Sequence, residues 1–290
     1  LNVCVTSFTN ALAPDSGRVL GVGGVIYLDN AATTRVDSEV LGAMLPYLQD
    51  EYGNPSSVYR LAGRARKAME NARGHVASYI GADPQEIVFT GCGSEADNYA
   101  IKGTAWALGS KGKHLITSAI EHHAVLDTCK ALARDGFETT VLVPDRYGVI
   151  SPEQVADAIR DDTILVSIMH SNNETGVLQP IAGFAGLAHA VGAILHTDAA
   201  QSAGKVALDV RELGVDLLSV AGHKLYAPKG VGALYIRKGT KIAPFLHGGE
   251  QERRRRASTH NVPGIVGLGR AIALAEARRE EEAPRLTALR

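Results

Sequence analysis

Seven short apolar runs punctuate this chain: Ile87–Phe89, His114–Thr117, Thr140–Val143, Ile164–Met169, Ala193–His196, Leu217–Val220 and Ala233–Ile236. Most are separated by stretches whose apolar residues recur at helical spacing. That alternation commits a chain to an α/β fold, in which a largely parallel sheet is buried on both faces by the helices that connect its strands. The helical cues are specific. Leu61, Ala65, Ala68, Met69, Ala72, Val76 and Ile80 share one face, and Gly81 follows as a stop. Ser151-Pro152-Glu153-Gln154 reads as a cap, with proline in the first turn and Gln154 placed to close a capping box. The last two strands follow one another with no helix between, which permits an antiparallel pair. The chain shows no internal repeat and no low-complexity tract.

Composition narrows the function classes. The 290 residues are 45% hydrophobic, enough for a sizeable core in one large or two modest domains. Lys+Arg number 30 against Asp+Glu 31, a net charge of −1, which gives no electrostatic case for a nucleic-acid partner. The one basic cluster is Arg253–Arg256. No apolar stretch is long enough to span a bilayer. Cys4, Cys92 and Cys129 lack the spacing of a disulfide framework or a metal site, so a reducing, cytoplasmic setting is expected. Residues 1–24 carry only Asp15 and Arg18 as charges and lack the pattern of a signal peptide. Residues 271–290 read as helix, with Glu276, Arg279 and Glu280 on the polar side.

In sheets of this kind ligands gather beyond the carboxyl ends of the strands, and five consecutive strand ends here carry the densest polar groups: "TGCGSEADN", "SAIEHHAV", "HSNNETG", "TDAAQS" and "AGHK". A helix opening at Ser94 after a glycine-rich turn offers free amides and a positive dipole end to a phosphate. Ser94 with Asp97 three residues on also reads as a plain helix cap. Asp198 shares a strand face with His196, so it could bind a metal with that histidine, face a protonated ring nitrogen, or simply cap a helix. Lys224 sits in a stiff turn punctuated by Gly222, Pro228 and Gly230. A lysine whose surroundings lower its pKa is a nucleophile toward carbonyls. Pyridoxal phosphate requires such a lysine, a carboxylate at its pyridine nitrogen and a phosphate cup at a helix N-terminus. Lys224, Asp198 and the Gly91–Ser94 turn supply all three. His122 could stack on the ring, and Asn173 and Gln201 could hydrogen-bond the ring hydroxyl or the substrate.

"YLDNAATTRV" (27–36), "EYGNPSS" (51–57), "FTGCGSEADN" (89–98), "EHHAVLDTC" (121–129), "HSNNETGV" (170–177), "HTDAAQSAGK" (196–205), "GHKLYAPKGVGALYIRKGT" (222–240) and "GGEQERRRRAST" (248–259) together resemble a cysteine desulfurase of the nitrogen-fixation and iron–sulfur-cluster type, within the class V aminotransferases. The resemblance runs from about Val25 to the C-terminus. It implies the aspartate-aminotransferase-like fold, PLP fold type I, with a mainly parallel seven-stranded sheet. Residues 25–264 would form the large domain, 1–24 an unmatched tail, and 265–290 the start of a helix leading to a small domain. It also implies a pyridoxal 5'-phosphate enzyme converting L-cysteine to L-alanine, with the sulfur left as a cysteine persulfide for an iron–sulfur scaffold protein.

Carried over by motif, Lys224 is the Schiff-base lysine, Asp198 pairs with the pyridinium nitrogen, and His122 stacks on the ring and shuttles protons. Gly93, Ser94 and His223 hold the phosphate, Asn173 and Gln201 contact the ring oxygen, and Thr259 reaches the phosphate of the partner in a homodimer. Departures are Ala221, where the family has a hydroxyl or thiol residue, and Arg254 and Ser258, where glycine is common. The persulfide cysteine and the carboxylate-binding arginine of the family would lie beyond Arg290, so this chain alone is expected to form little alanine. Cys92 reads as a packing residue and Cys129 as core. Two other readings share these motifs: another class V enzyme, such as a selenocysteine lyase or an aminotransferase-like relative, and a non-catalytic cofactor-binding remnant.

Overall fold

A computed structural model describes residues 26–289; the tail and Cys4 lie outside the described residues. In chain order the elements are α1 Ser38–Gln49, α2 Arg60–Tyr79, β1 Ile87–Thr90, α3 Gly93–Leu108, β2 His114–Ser118, α4 His123–Leu132, β3 Glu138–Leu142, α5 Pro152–Ala158, β4 Thr163–Ser167, α6 Ala182–Ala190, β5 Ile194–Asp198, α7 Val210–Leu213, β6 Leu217–Ala221, β7 Gly232–Ile236 and α8 Val262–Leu289. The expected strands all form, and the capping box at Ser151 and Gln154 is made. Boundaries differ where local cues compete. β3 sits two residues earlier than its apolar run, because it is an edge strand with a half-exposed face. α3 opens at Gly93 rather than Ser94, since the Cys92 sulfur accepts from the Glu95 amide and serves as the cap. α8 begins at Val262, ahead of the expected start.

Glycines conceal that earlier start of α8. Gly264, Gly267 and Gly269 lower its helix propensity, but two of them are required by packing. A β-carbon at Gly269 would fall 2.6 Å from the Ala72 α-carbon, and one at Gly267 would fall 2.8 Å from the Met44 sulfur. The glycines let α8 lie directly on α2 and α1.

The sheet order is β1-β7-β6-β5-β4-β2-β3. β2 pairs in parallel with β3 and β4, and the parallel run continues through β5 and β6. β7 is antiparallel to both β6 and β1. Six strands therefore point one way and β7 opposes them, so the carboxyl ends of β1, β2, β4, β5 and β6 fall along one edge. Side chains alternate between two cores. Ile87, Phe89, Ile116, Leu195, Leu218 and Tyr235 face the α2–α8 side, whereas Val88, Leu217, Leu234 and Ile236 face the α3 side.

A buried ion pair pins the 248–260 loop to this body. The Arg73 guanidinium donates to both Glu252 oxygens, at 2.7 and 2.9 Å, while the Phe89 amide and His260 also reach that carboxylate. Burial pushes the Glu252 carboxyl up, but these donors win and draw it down to about 2. A second pair, Arg256 to Glu95 at 2.8 Å, ties the loop to the first turn of α3. Around the two pins the chain bends sharply: Glu252, Arg253, Arg254 and, just beyond Arg256, Ser258 adopt φ of 47°, 58°, 65° and 98°. Non-glycine residues in that region store on the order of 1 kcal/mol or more each. The strain persists because the buried pair over-determines the turn. Arg254→Gly is therefore expected to stabilise the protein by about 1 kcal/mol in urea unfolding; a loss of stability would show that the turn is not strained at that residue.

Candidate active site

Each polar strand end contributes to a single cavity of about 570 Å³. β1 delivers Cys92, Gly93 and Ser94 through the turn into α3. The β2–α4 connection delivers His122, the β4 end Met169, Ser171 and Asn173, the β5 end Asp198 and Gln201, and the β6 end Ala221, His223 and Lys224. Gly93, Ser94, His122, Asn173, Asp198, Gln201, His223 and Lys224, all anticipated from sequence, are thus brought together. Thr259 is not; it is exposed and lies outside the cavity of its own chain.

The cavity has two chemically distinct ends. At one, the Gly93 and Ser94 amides that open α3 precede the first intrahelical bond, and the Ser94 side chain and His223 line the same cavity. This end suits a phosphate. A β-carbon at Gly93 would meet the Ala221 β-carbon at 2.8 Å, so the small pair keeps the β6 end close under this turn. The Cys92 sulfur accepts the Glu95 amide at 3.3 Å, and Glu95 in turn accepts the Gly91 amide at 2.7 Å.

At the other end lies Asp198, only 5% exposed. Its side chain accepts the Ala200 amide at 2.8 Å. Burial raises its pKa, and the Ala200 amide, His122 and Lys224 pull it back only in part. A buried carboxylate so poorly compensated attracts a cationic N–H. His122 caps α4 by accepting the Ala124 amide on Nδ1 at 3.1 Å, so in its neutral form the ring proton is on Nε2.

Lys224 ends a single 3₁₀ turn after β6. Its ammonium donates to the carbonyls of Ala31 and Ala32. Desolvation lowers its pKa, against the pull of Asp198 and Asp29. The segment supplying those carbonyls is stitched down. Thr34 donates to the His223 carbonyl at 2.9 Å and accepts the Tyr226 amide at 2.8 Å, and Thr33 meets His223 Nδ1 at 3.1 Å. Gln201 bridges Ala31 and Lys205.

His196 is not a metal ligand candidate in this arrangement. Its two nitrogens are taken by Ser167 and Ser219, at 2.8 and 3.0 Å, and burial pushes its pKa down to about 3. Among the described residues no group of three His, Cys, Asp or Glu side chains is placed to hold a metal ion. Sequence reasoning missed two buried acids. Asp97, weighed only as a partner in a cap at Ser94, turns inward and lines the cavity. Glu121 lies beneath it, in the motif that supplied His122, and signals itself only by standing between an apolar strand and that histidine.

A family model for the class V aminotransferases matches residues 26–287. The chain is 55% identical over 265 residues to a cysteine desulfurase IscS from Methanosarcina thermophila, covering 91% of this chain and 66% of that relative. A solved NifS-like protein superposes with a TM-score of 0.86 at 42% identity, over 88% of this chain and 71% of the other. A structure described as SspA in complex with cysteine gives 0.83 at 46% identity, over 85% and 72%. The chain belongs to the class V aminotransferase family and has the α/β fold of the NifS-like proteins. It spans about two thirds of the length of the curated relative above. Among the described residues no helix is long and apolar enough to cross a membrane.

The capping role of Cys92 carries its own test. Cys92→Ala should lower stability by about 1 kcal/mol, whereas Cys92→Ser, which restores a stronger cap, should not. Equal losses in thermal unfolding would remove the cap from the account.

Proposed function

We propose that this chain is the cofactor-binding part of a pyridoxal 5'-phosphate-dependent cysteine desulfurase, acting on L-cysteine to give L-alanine and passing sulfur to an enzyme cysteine. The observation that carries the reading is the convergence of Asp198, Lys224 and the α3 N-terminus in one cavity. The residues fit the group: the under-compensated buried carboxylate and the first two amides of α3, at Gly93 and Ser94, are what a cationic ring and a phosphate need. Gly93, Ser94 and His223 would hold the phosphate, Asp198 the ring nitrogen, and Asn173 and Gln201 the ring oxygen. Bound there, the cofactor supplies an electron sink for charge developing at the substrate α-carbon. The relative solved with cysteine supports the substrate assignment.

The protein's own contribution follows from its geometry. Desolvation favours the neutral Lys224 amine, which can accept a proton and attack a carbonyl. The Ala31 and Ala32 carbonyls orient that amine. Asp198 would keep a proton on the ring nitrogen of a bound cofactor, and His122 Nε2 would offer a second exchangeable proton at the cavity. Sulfur transfer needs an exposed thiolate. The Cys129 thiol is buried and pushed up to about 12, and Cys92 is committed to its cap. We therefore assign the sulfur-accepting role to neither. An iron–sulfur scaffold protein is the acceptor that the IscS-like resemblance supports.

Borohydride reduction of the purified chain with pyridoxal phosphate, followed by peptide mapping, should label Lys224. Labelling that survives Lys224→Ala at another lysine would overturn the assignment. Thr259, exposed and outside the lining of its own cavity, supports a homodimer in which it reaches the phosphate of the other copy. Sedimentation of the cofactor-loaded protein should show a dimer; a monomer with full cofactor occupancy would contradict this.

A further inference from the structure

Three buried carboxyl side chains cluster at the cavity: Asp97 and Asp198 line it, and Glu121 lies behind them, with exposures of 2%, 5% and 7%. They have unequal support. Asp198 accepts the Ala200 amide and lies within reach of the charges of His122 and Lys224. Glu121 Oε1 accepts the Ser118 hydroxyl at 2.5 Å and the Met169 amide at 2.9 Å, but among the described residues its Oε2 has no hydrogen-bond partner. Asp97 Oδ1 has none either. The nearest ring nitrogen, His196 Nε2, is 3.7 Å away and engaged with Ser219.

A buried ionised carboxylate with a bare oxygen is among the costliest groups a protein can hold, whereas the neutral acid is far cheaper. The groups facing this cluster offer little relief. From α3, Glu95 is committed to Arg256. From β5 comes His196, held neutral, and from β6 the Ser219 hydroxyl. From α4 comes the buried Cys129, and from the strand ends His122, His223 and Lys224. Lys224 is already bound to two carbonyls. Three anions would face at most two nearby cations, both of which act on Asp198.

We propose that Asp97 and Glu121 are positioning residues that keep their protons at neutral pH, leaving Asp198 as the buried carboxylate that meets a cationic ring. Desolvation, with Asp198 and Glu121 nearby, raises Asp97 well above the usual carboxylate range, offset only in part by Ser219. Desolvation raises Glu121 to about 8. The protonation of the two acids stands apart from the cofactor reading; its consequence for the ring rests on that reading. A single charge matters because a second carboxylate would bind the ring without discriminating where its proton sits.

The sign of the pH effect is fixed by these directions. Below about 4.5 folded and unfolded chains both carry the Glu121 proton, so nothing is lost. Between about 4.5 and about 8 only the folded chain keeps it, and stability falls as pH rises. Each proton so retained changes the folding equilibrium tenfold per pH unit. Urea unfolding of the cofactor-free protein between about pH 4.5 and about pH 8 should therefore show a slope of stability against pH that is more positive than in wild type by one proton in Glu121→Gln, and a shift in the same direction in Asp97→Asn. Slopes identical to wild type in both variants would overturn the proposal. Should one variant not fold, the other carries the test, and the infrared carbonyl band of a protonated carboxyl in the wild type at neutral pH gives a reading that needs no variant; its absence counts against the proposal.

Titration with pyridoxal phosphate separates the second claim. Asp97→Asn should bind it about tenfold more tightly than Asp198→Asn, because only the latter removes the charged partner. Equal defects would make Asp97 a second anion and refute the assignment. If no form binds the cofactor while the stability slopes behave as expected, the functional reading fails and the protonation stands.

Discussion

The site is organised around one uncomfortable charge. Asp198 sits at the carboxyl end of the central strand β5 with one amide donor among the described residues, in a place that burial makes hostile to an anion. Nothing in the apolar layers on either side of the sheet needs a carboxylate there. A strand end that retains one gives up stability, and the loss makes sense only where a cation arrives to offset it. Lys224 supplies part of that cation, one strand away, and a protonated ring would supply the rest. The cavity follows from this arrangement: the strands that run in parallel carry their polar loops to the same edge, and β7, which opposes them, leaves that edge to the others.

Rigidity around the site comes from its neighbours rather than from the cavity itself. The N-terminal segment around Thr33 and Thr34 closes over the turn that holds His223 and Lys224. Glu95, in the first turn of α3, joins the phosphate end to Arg256, and the Arg73–Glu252 pair holds the rest of that loop against β1. A buried pair of this kind contributes little net stability, yet removing one partner is costly. Its effect is to fix one conformation for a turn whose residues would otherwise avoid positive φ.

Much of this was legible in the residues. The seven strands were visible because each is a short apolar run bounded by polar turns, and the capping box at Ser151 left its own signature. Eight of the nine anticipated site residues share the cavity because the strand-end rule is geometric and does not depend on side-chain detail. What escaped notice depends on tertiary context. The early start of α8 was hidden by glycines whose reason is contact with Ala72 and Met44, which no local pattern announces. Asp97 resembled a capping residue in sequence, and only the fold turns it inward. His196 and Asp198 do share a strand, but the serines that occupy both histidine nitrogens come from β4 and β6, distant in sequence.

The central claim is that separate strand ends act as one binding surface. Amide hydrogen exchange with and without pyridoxal phosphate tests it directly. The account expects slowed exchange together in the first turn of α3 (93–96), after β5 (199–201) and in the turn after β6 (222–224). Cofactor bound with those three stretches unprotected, or protection confined to one of them, would contradict it.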